Sequence, residues 1–149
     1  MSNKPSTSTY SFDDVEVVFA HPGIGQYIIN GKGVGSITVS MQTEKTTHDV
    51  AADGSIMASK IAGNNAAIDI EVQQTSEFHK WLTNYYNFVL LASASQWTGA
   101  SIIIKDNVGG SLITALGVSP VKKADKPYQA QGQRVTWPFL STDCQEVAI

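Results

Sequence analysis

The sequence predicts a mainly β domain with one α-helix: a β-sandwich or barrel of about six to eight strands carrying an extended β-hairpin arm. Three observations predict it. Residues 36–42 and 66–73 alternate apolar and polar side chains with a period of two. Only residues 78–89 carry a helical period. Turn-forming pairs, among them Asn30-Gly31, Asp53-Gly54 and Gly109-Gly110, punctuate the apolar runs.

Along the chain, residues 1–9 are small and polar with Pro5, and read as a flexible tail. Residues 10–149 read as one domain, with no internal repeat and no linker. Val15, Val17 and Phe19 alternate with Asp14, Glu16 and Val18 until His21-Pro22-Gly23 breaks the strand. A short apolar stretch at 27–29 leads into Asn30-Gly31, which tolerates the positive φ angles of a tight hairpin. Ile37, Val39 and Met41 then share one strand face, and Ser36, Thr38, Ser40 and Gln42 share the other.

Residues 43–60 are polar and only weakly apolar, and read as a hairpin arm from Thr43 to Lys60 turning at Asp53-Gly54. Gly63-Asn64-Asn65 reads as a turn. In the next strand Ala66, Ile68, Ile70 and Val72 oppose Ala67, Asp69, Glu71 and Gln73. Phe78, Trp81, Leu82, Tyr85 and Val89 have the spacing of a core-facing helix. Thr75 or Ser76 can cap it, Glu77 suits its positive end, and the small residues 93–96 end it. On this helix Tyr86 falls on the far side, and no second helical segment is expected.

Residues 100–105 and 112–118 flank a glycine-containing hairpin loop, and the second run, apolar on both faces, reads as central in its sheet. In residues 133–140 Val135, Trp137 and Phe139 alternate, while Pro138 predicts an edge strand or a bulge.

Composition narrows function. The charged fraction is 15%, against about 25% in an average soluble domain, which suits a surface covered by partners. A net charge of −3 argues against a nucleic-acid-binding face, which needs clustered cations. No apolar run is long enough for a membrane helix, and residues 1–9 lack a secretory pattern. Cys144 is the only cysteine, so no internal disulfide or cysteine-based zinc site is expected.

Chemistry-bearing patterns are missing as well. His21, His48 and His79 lack metal-ligand spacing, and a structural or surface role is expected for each. Cys144 has no evident catalytic partner. Gly31-Lys32-Gly33-Val34-Gly35 lacks the ending of a phosphate loop and opens a strand. The pair Asp13-Asp14 would point to opposite faces, and Lys122, Lys123 and Lys126 read as solvated loop. No catalytic residue, metal site or cofactor is expected.

Several segments in order resemble one family. Tyr10-Ser11-Phe12-Asp13-Asp14-Val15, Ile37-Thr38-Val39-Ser40-Met41, Ala52-Asp53-Gly54, Ile68-Asp69-Ile70-Glu71-Val72 with Gln73-Gln74-Thr75-Ser76, and Trp137-Pro138-Phe139 are similar to the bacteriophage tail tube proteins. The family is most often met in contractile-tailed phages. Glu77 stands where relatives often have Pro; both suit a first helical turn. The resemblance implies a two-sheet β-sandwich or barrel with one helix. Six copies would close a ring, and rings would stack into a hollow tube whose inner sheets form one lumen-lining barrel. The arm and the termini would bridge neighbours.

Such a tube conducts DNA into the host, and its partners would include sheath, baseplate and tape-measure proteins. The chain would reside in the virion after assembly in the host cytoplasm. Within that frame Ser36, Thr38, Ser40, Gln42, Asp69, Glu71 and Gln73 are expected to line the lumen. Two other readings compete: the tube of a phage-derived injection machine (type VI secretion or tailocin), and a monomeric β-sandwich binding module, which would display aromatic loops.

Overall fold

The computed structural model describes residues 5–29 and 33–149. The expected Asn30-Gly31 turn lies outside these residues. Among the described residues nine strands form two antiparallel sheets: seven build the body and two build the arm. The body strands are β1 (Val15–His21), β2 (Gly25–Ile29), β3 (Val34–Met41), β6 (Ala66–Gln73), β7 (Ala100–Asp106), β8 (Ser111–Pro120) and β9 (Arg134–Ala148). Their spatial order is β2-β1-β7-β8-β9-β6-β3, so β2 and β3 are the free edges and β8 is central, as its two apolar faces predict.

The sheet curls into a half-barrel. Ile37 and Val39 of edge strand β3 share a cavity of about 270 Å³ with Val15, Ile104 and Ile113 from the other half of the sheet. Its core is the concave face, where Val17, Phe19, Ile68, Ile70, Ile102, Trp137 and Phe139 are buried. Register explains the grouping, because directly opposed residues share a face: Ile70 faces Trp137, Ile68 faces Phe139, and Phe19 faces Ile102.

Helix α1 (Glu77–Leu91) covers this face near one end of the strands. The Ser76 hydroxyl accepts the His79 N–H, so the cap is Ser76 rather than Thr75. Phe78, Leu82, Tyr85 and Val89 are buried, and Trp81 is half-buried. The Phe19 ring lies 5.1 Å from Tyr85 and 5.3 Å from Trp81 in edge-on geometry, the arrangement aromatic quadrupoles favour.

Four local expectations are corrected. Tyr86 is half-buried against Trp137, 6.2 Å between rings, because the curled sheet wraps past the helix flank. Ala94–Trp97 forms a second, one-turn helix, too short to carry a period. Gly63-Asn64-Asn65 is not a turn: Asn64 accepts the Cys144 N–H and Asn65 accepts that of Gln42, which ties this segment to the sheet. Finally, β9 is an interior strand between β8 and β6. Pro138 is tolerated there because its carbonyl accepts from Val121, just past the end of β8 at Pro120. The missing N–H therefore faces the point where the ladder has run out.

Candidate assembly surfaces

The alternating strands place their polar residues together on the convex face. Ser36 opposes Glu71 and Thr38 opposes Asp69. Across β6, Asp69 opposes Pro138, Glu71 opposes Thr136 and Gln73 opposes Arg134. Ser36, Thr38, Ser40, Asp69 and Gln73 are exposed, and Gln42 follows just beyond β3. The two polar rows read from sequence thus merge into one stripe across β3, β6 and β9, on the side opposite α1.

Arg134 and Thr136 were missed as members of this stripe. The signal was present, since core positions Val135, Trp137 and Phe139 require their neighbours to face outward. Arg134 donates to Glu71 at 3.0 Å, so a cation partly neutralises the stripe.

The arm is the second surface. β4 (Thr46–Val50) and β5 (Ile56–Lys60) pair only with each other, and all their residues are exposed. At the tip Gly54 has φ +87, a conformation that suits glycine. The Asp53 carboxylate accepts the Ser55 N–H at 3.0 Å; that bond and one to the Ser55 side chain hold its pKa below the usual carboxylate value. Val50 opposes Ile56 on one face, and Met57 lies on the other; they are 65%, 60% and 62% exposed. The base is fastened instead: Thr43 bonds Asn65, and Lys45 Nζ donates to Asn64 at 3.0 Å.

The histidines and the cysteine take structural or surface positions. His21 is buried; its Nδ1 accepts the Gly23 N–H and its Nε2–H donates to the Gln96 carbonyl, each at 2.9 Å. His79 accepts the Trp137 indole N–H at 3.0 Å. Burial, then the fields of Lys126 and Lys123, push its pKa down. Burial pushes the Cys144 thiol up, with Asp143 and Glu146 adding to the shift, so little thiolate forms. His48 lies on the exposed arm. Among the described residues no three His, Cys, Asp or Glu side chains gather as a metal site requires. Among the described residues no helix is long and apolar enough to cross a membrane.

A family model described as the bacteriophage PhiTE tail tube protein matches residues 7–148. The chain belongs to that tail tube family. Tail tube proteins are structural and non-enzymatic, and this one belongs to the tail tube of a phage or phage-like particle.

Solved structures share the tail tube fold. One is a chain of the anti-feeding prophage baseplate, solved with six-fold symmetry, at TM-score 0.60 and 14% identity, covering 99% of this chain and 98% of that one. Another is from the cap that terminates the anti-feeding prophage tube, at TM-score 0.62 and 7% identity, covering 99% and 97%. A third is from the sheath–tube complex of an extracellular contractile injection system in its extended state, at TM-score 0.52 and 9% identity, covering 89% and 88%. No curated protein sequence matches the chain.

Proposed function

We propose that this tail tube protein closes into hexameric rings that stack into the hollow tube of a contractile-tailed phage, through which DNA passes to the host. The observation that carries this reading is the division of labour on the outer surface. One convex stripe is polar and nearly neutral, while the arm is unpacked and apolar at its tip. Helix α1 occupies the concave face, leaving the convex stripe for a water-filled lumen. Free edges β2 and β3 are available to pair between neighbours, which would consume a liability of open sheets.

Ser36, Thr38, Ser40, Gln42, Asp69, Glu71 and Gln73 would line the channel, now joined by Arg134. A wall of hydroxyls, amides and a paired cation offers phosphates few places to bind and release counterions, so DNA slides. The arm from Thr43 to Lys60, with Asp53 and Gly54 at its tip, would dock on a neighbour. Sheath, baseplate and tape-measure proteins are its expected partners in the virion, after assembly in the host cytoplasm.

Likeness to anti-feeding prophage and contractile injection system chains favours a second reading, the tube of a phage-derived injection machine. Type VI secretion and tailocin tubes fall in this class. The monomeric binding module is disfavoured: its aromatics are mostly internal, and even Trp97 is half-buried. Electron microscopy of the purified chain tests the proposal. Rings with six subunits and a channel lined by Thr38 and Asp69 are expected. A channel lined by Ile37 and Ile70 would refute the lumen assignment. Nucleic acid inside intact particles separates the phage reading from the injection-machine reading.

A further inference from the structure

We infer that the two ends of the half-barrel are mating surfaces of opposite charge, joining copies of this chain head to tail. The inference rests on the tube reading above and adds what holds successive rings together.

The antiparallel register defines the ends. At one, β8 stops at Pro120, β9 starts at Arg134 and β6 stops at Gln73. Five of the eight Lys and Arg side chains among the described residues gather there: Lys80, Lys122, Lys123, Lys126 and Arg134. Lys122, Lys126 and Arg134 line one open cavity, and Lys126 lines another with Lys80. Glu77, Asp125 and Glu71 answer Lys80, Lys122 and Arg134 at 3.8, 3.5 and 3.0 Å. Lys123 and Lys126 have no carboxylate partner among the described residues.

At the other end, β1 begins at Val15, β7 stops at Asp106 and β8 begins at Ser111. Asp13, Asp14 and Glu16 are exposed there, with Asp106 beside them. Glu146 lies near the end of β9 at the same side. Lys105, opposite Glu16 in register, is the one cation on these strand ends among the described residues.

Three of the five cations are paired within the subunit, and the excess charge left at each end is not. An eight-residue strand such as β6 spans about 26 Å, well beyond the ~10 Å Debye length at 0.1 M salt. The ends cannot neutralise each other inside one copy. Two unpaired lysines are also too few for a polyanion, whose binding sums many phosphate contacts. A second copy offers the complement directly. A basic end on an acidic end is a heterologous contact that does not close, so it propagates into a filament. It also forbids head-to-head stacking, where like charges would meet.

The test is a charge swap on the full chain. One variant carries Lys122→Glu, Lys123→Glu and Lys126→Glu; the other carries Asp13→Lys, Asp14→Lys and Glu16→Lys. All six positions are exposed, and thermal melts check that both variants fold. Rings are counted by electron microscopy, and stacking is read as the critical concentration for sedimentable tubes.

Each variant alone should form rings and need at least ~10-fold more protein to stack at low salt, and their equimolar mixture should recover to within about threefold of the unmodified chain. Either variant stacking like the unmodified chain, or a mixture that fails to recover, overturns the joint while rings keep the tube reading. An unmodified chain that forms no rings overturns both.

Discussion

Consider replacing Val50, Ile56 and Met57 together by serine. In the subunit these side chains stand 65%, 60% and 62% exposed, and the arm strands pair only with each other. The free protein should therefore hardly register the change, within about 0.5 kcal/mol for surface substitutions. On a neighbour each would lose most of that exposure. Full burial of such a side chain is worth about 1.5–3 kcal/mol, so covering the remaining three-fifths contributes about 0.9–1.8 kcal/mol each. Three together amount to roughly 3–5 kcal/mol per copy, or about 100- to 4,000-fold in association constant at 1.4 kcal/mol per tenfold.

The assay pairs a thermal melt of the dispersed subunit with the critical concentration for tubes. The expected result is an unchanged melt and a critical concentration raised by about two to three and a half decades. An unchanged critical concentration with an unchanged melt would show that the tip touches nothing in the tube. A melt lowered by several degrees would show that the arm packs on its own subunit.

Three further outcomes are expected. The Tyr85 hydroxyl is buried without a hydrogen-bond partner among the described residues, so Tyr85→Phe should stabilise by about 1 kcal/mol and raise the melting temperature by ~2–4 °C; a lower melt would reveal a partner. Gly117 has φ +62, and a Cβ there would collide with Thr142, so Gly117→Ala should destabilise by about 1–3 kcal/mol in denaturant titration. His79 has a folded pKa below its unfolded value of 6.5, so the unfolded state binds more protons. Its contribution is complete above the unfolded value and shrinks as pH falls through 6.5 toward the depressed folded value. Melts across that window should show the slope, and Lys126→Gln with Lys123→Gln, which removes both nearby cations, should flatten it.

Elements with a strict local period were legible. The β3 and β6 alternations and the α1 spacing each name a face: the structure buries Ile68, Ile70 and Val72, then Phe78, Leu82, Tyr85 and Val89, while on β3 Ile37 and Val39 are half-buried and Met41, at the strand end, is exposed. What failed was set by tertiary neighbours. Pro138 alone suggests an edge, and only the end of β8 opposite it makes an interior position tolerable. The far half of β9, with Thr142, Asp143, Gln145 and Glu146, lies beyond the alternation read over 133–140, yet it pairs with β8 up to Ala148. Tyr86 sits on the wrong side of an isolated helix and on the right side of one wrapped by a curled sheet. At the candidate lumen the two polar rows were legible, whereas their union through Thr38 and Asp69, and the arrival of Arg134 on Glu71, needed the register between strands.

The placement of α1 is the step that ties fold to assembly. A curled sheet has a concave face, a convex face, two edges and two ends. Filling the concave face with Phe78, Leu82, Tyr85 and Val89 leaves the remaining surfaces for neighbours. Edges β2 and β3 differ in sequence and end the two sides of the sheet, so a contact between them is heterologous, and in the proposed hexamer it would close as a ring. The ends differ in charge, so contact between them is heterologous along the perpendicular direction and does not close. In the proposed assembly one chain would carry two joints at right angles, one that sets circumference and one that sets length. The arm, fastened at Thr43 and Lys45 and free beyond them, can reach across either. Removing residues 46–60 should then leave the sheet's melt intact while abolishing tubes, and tubes of normal pitch from that deletion would place the whole of assembly in the edges and ends.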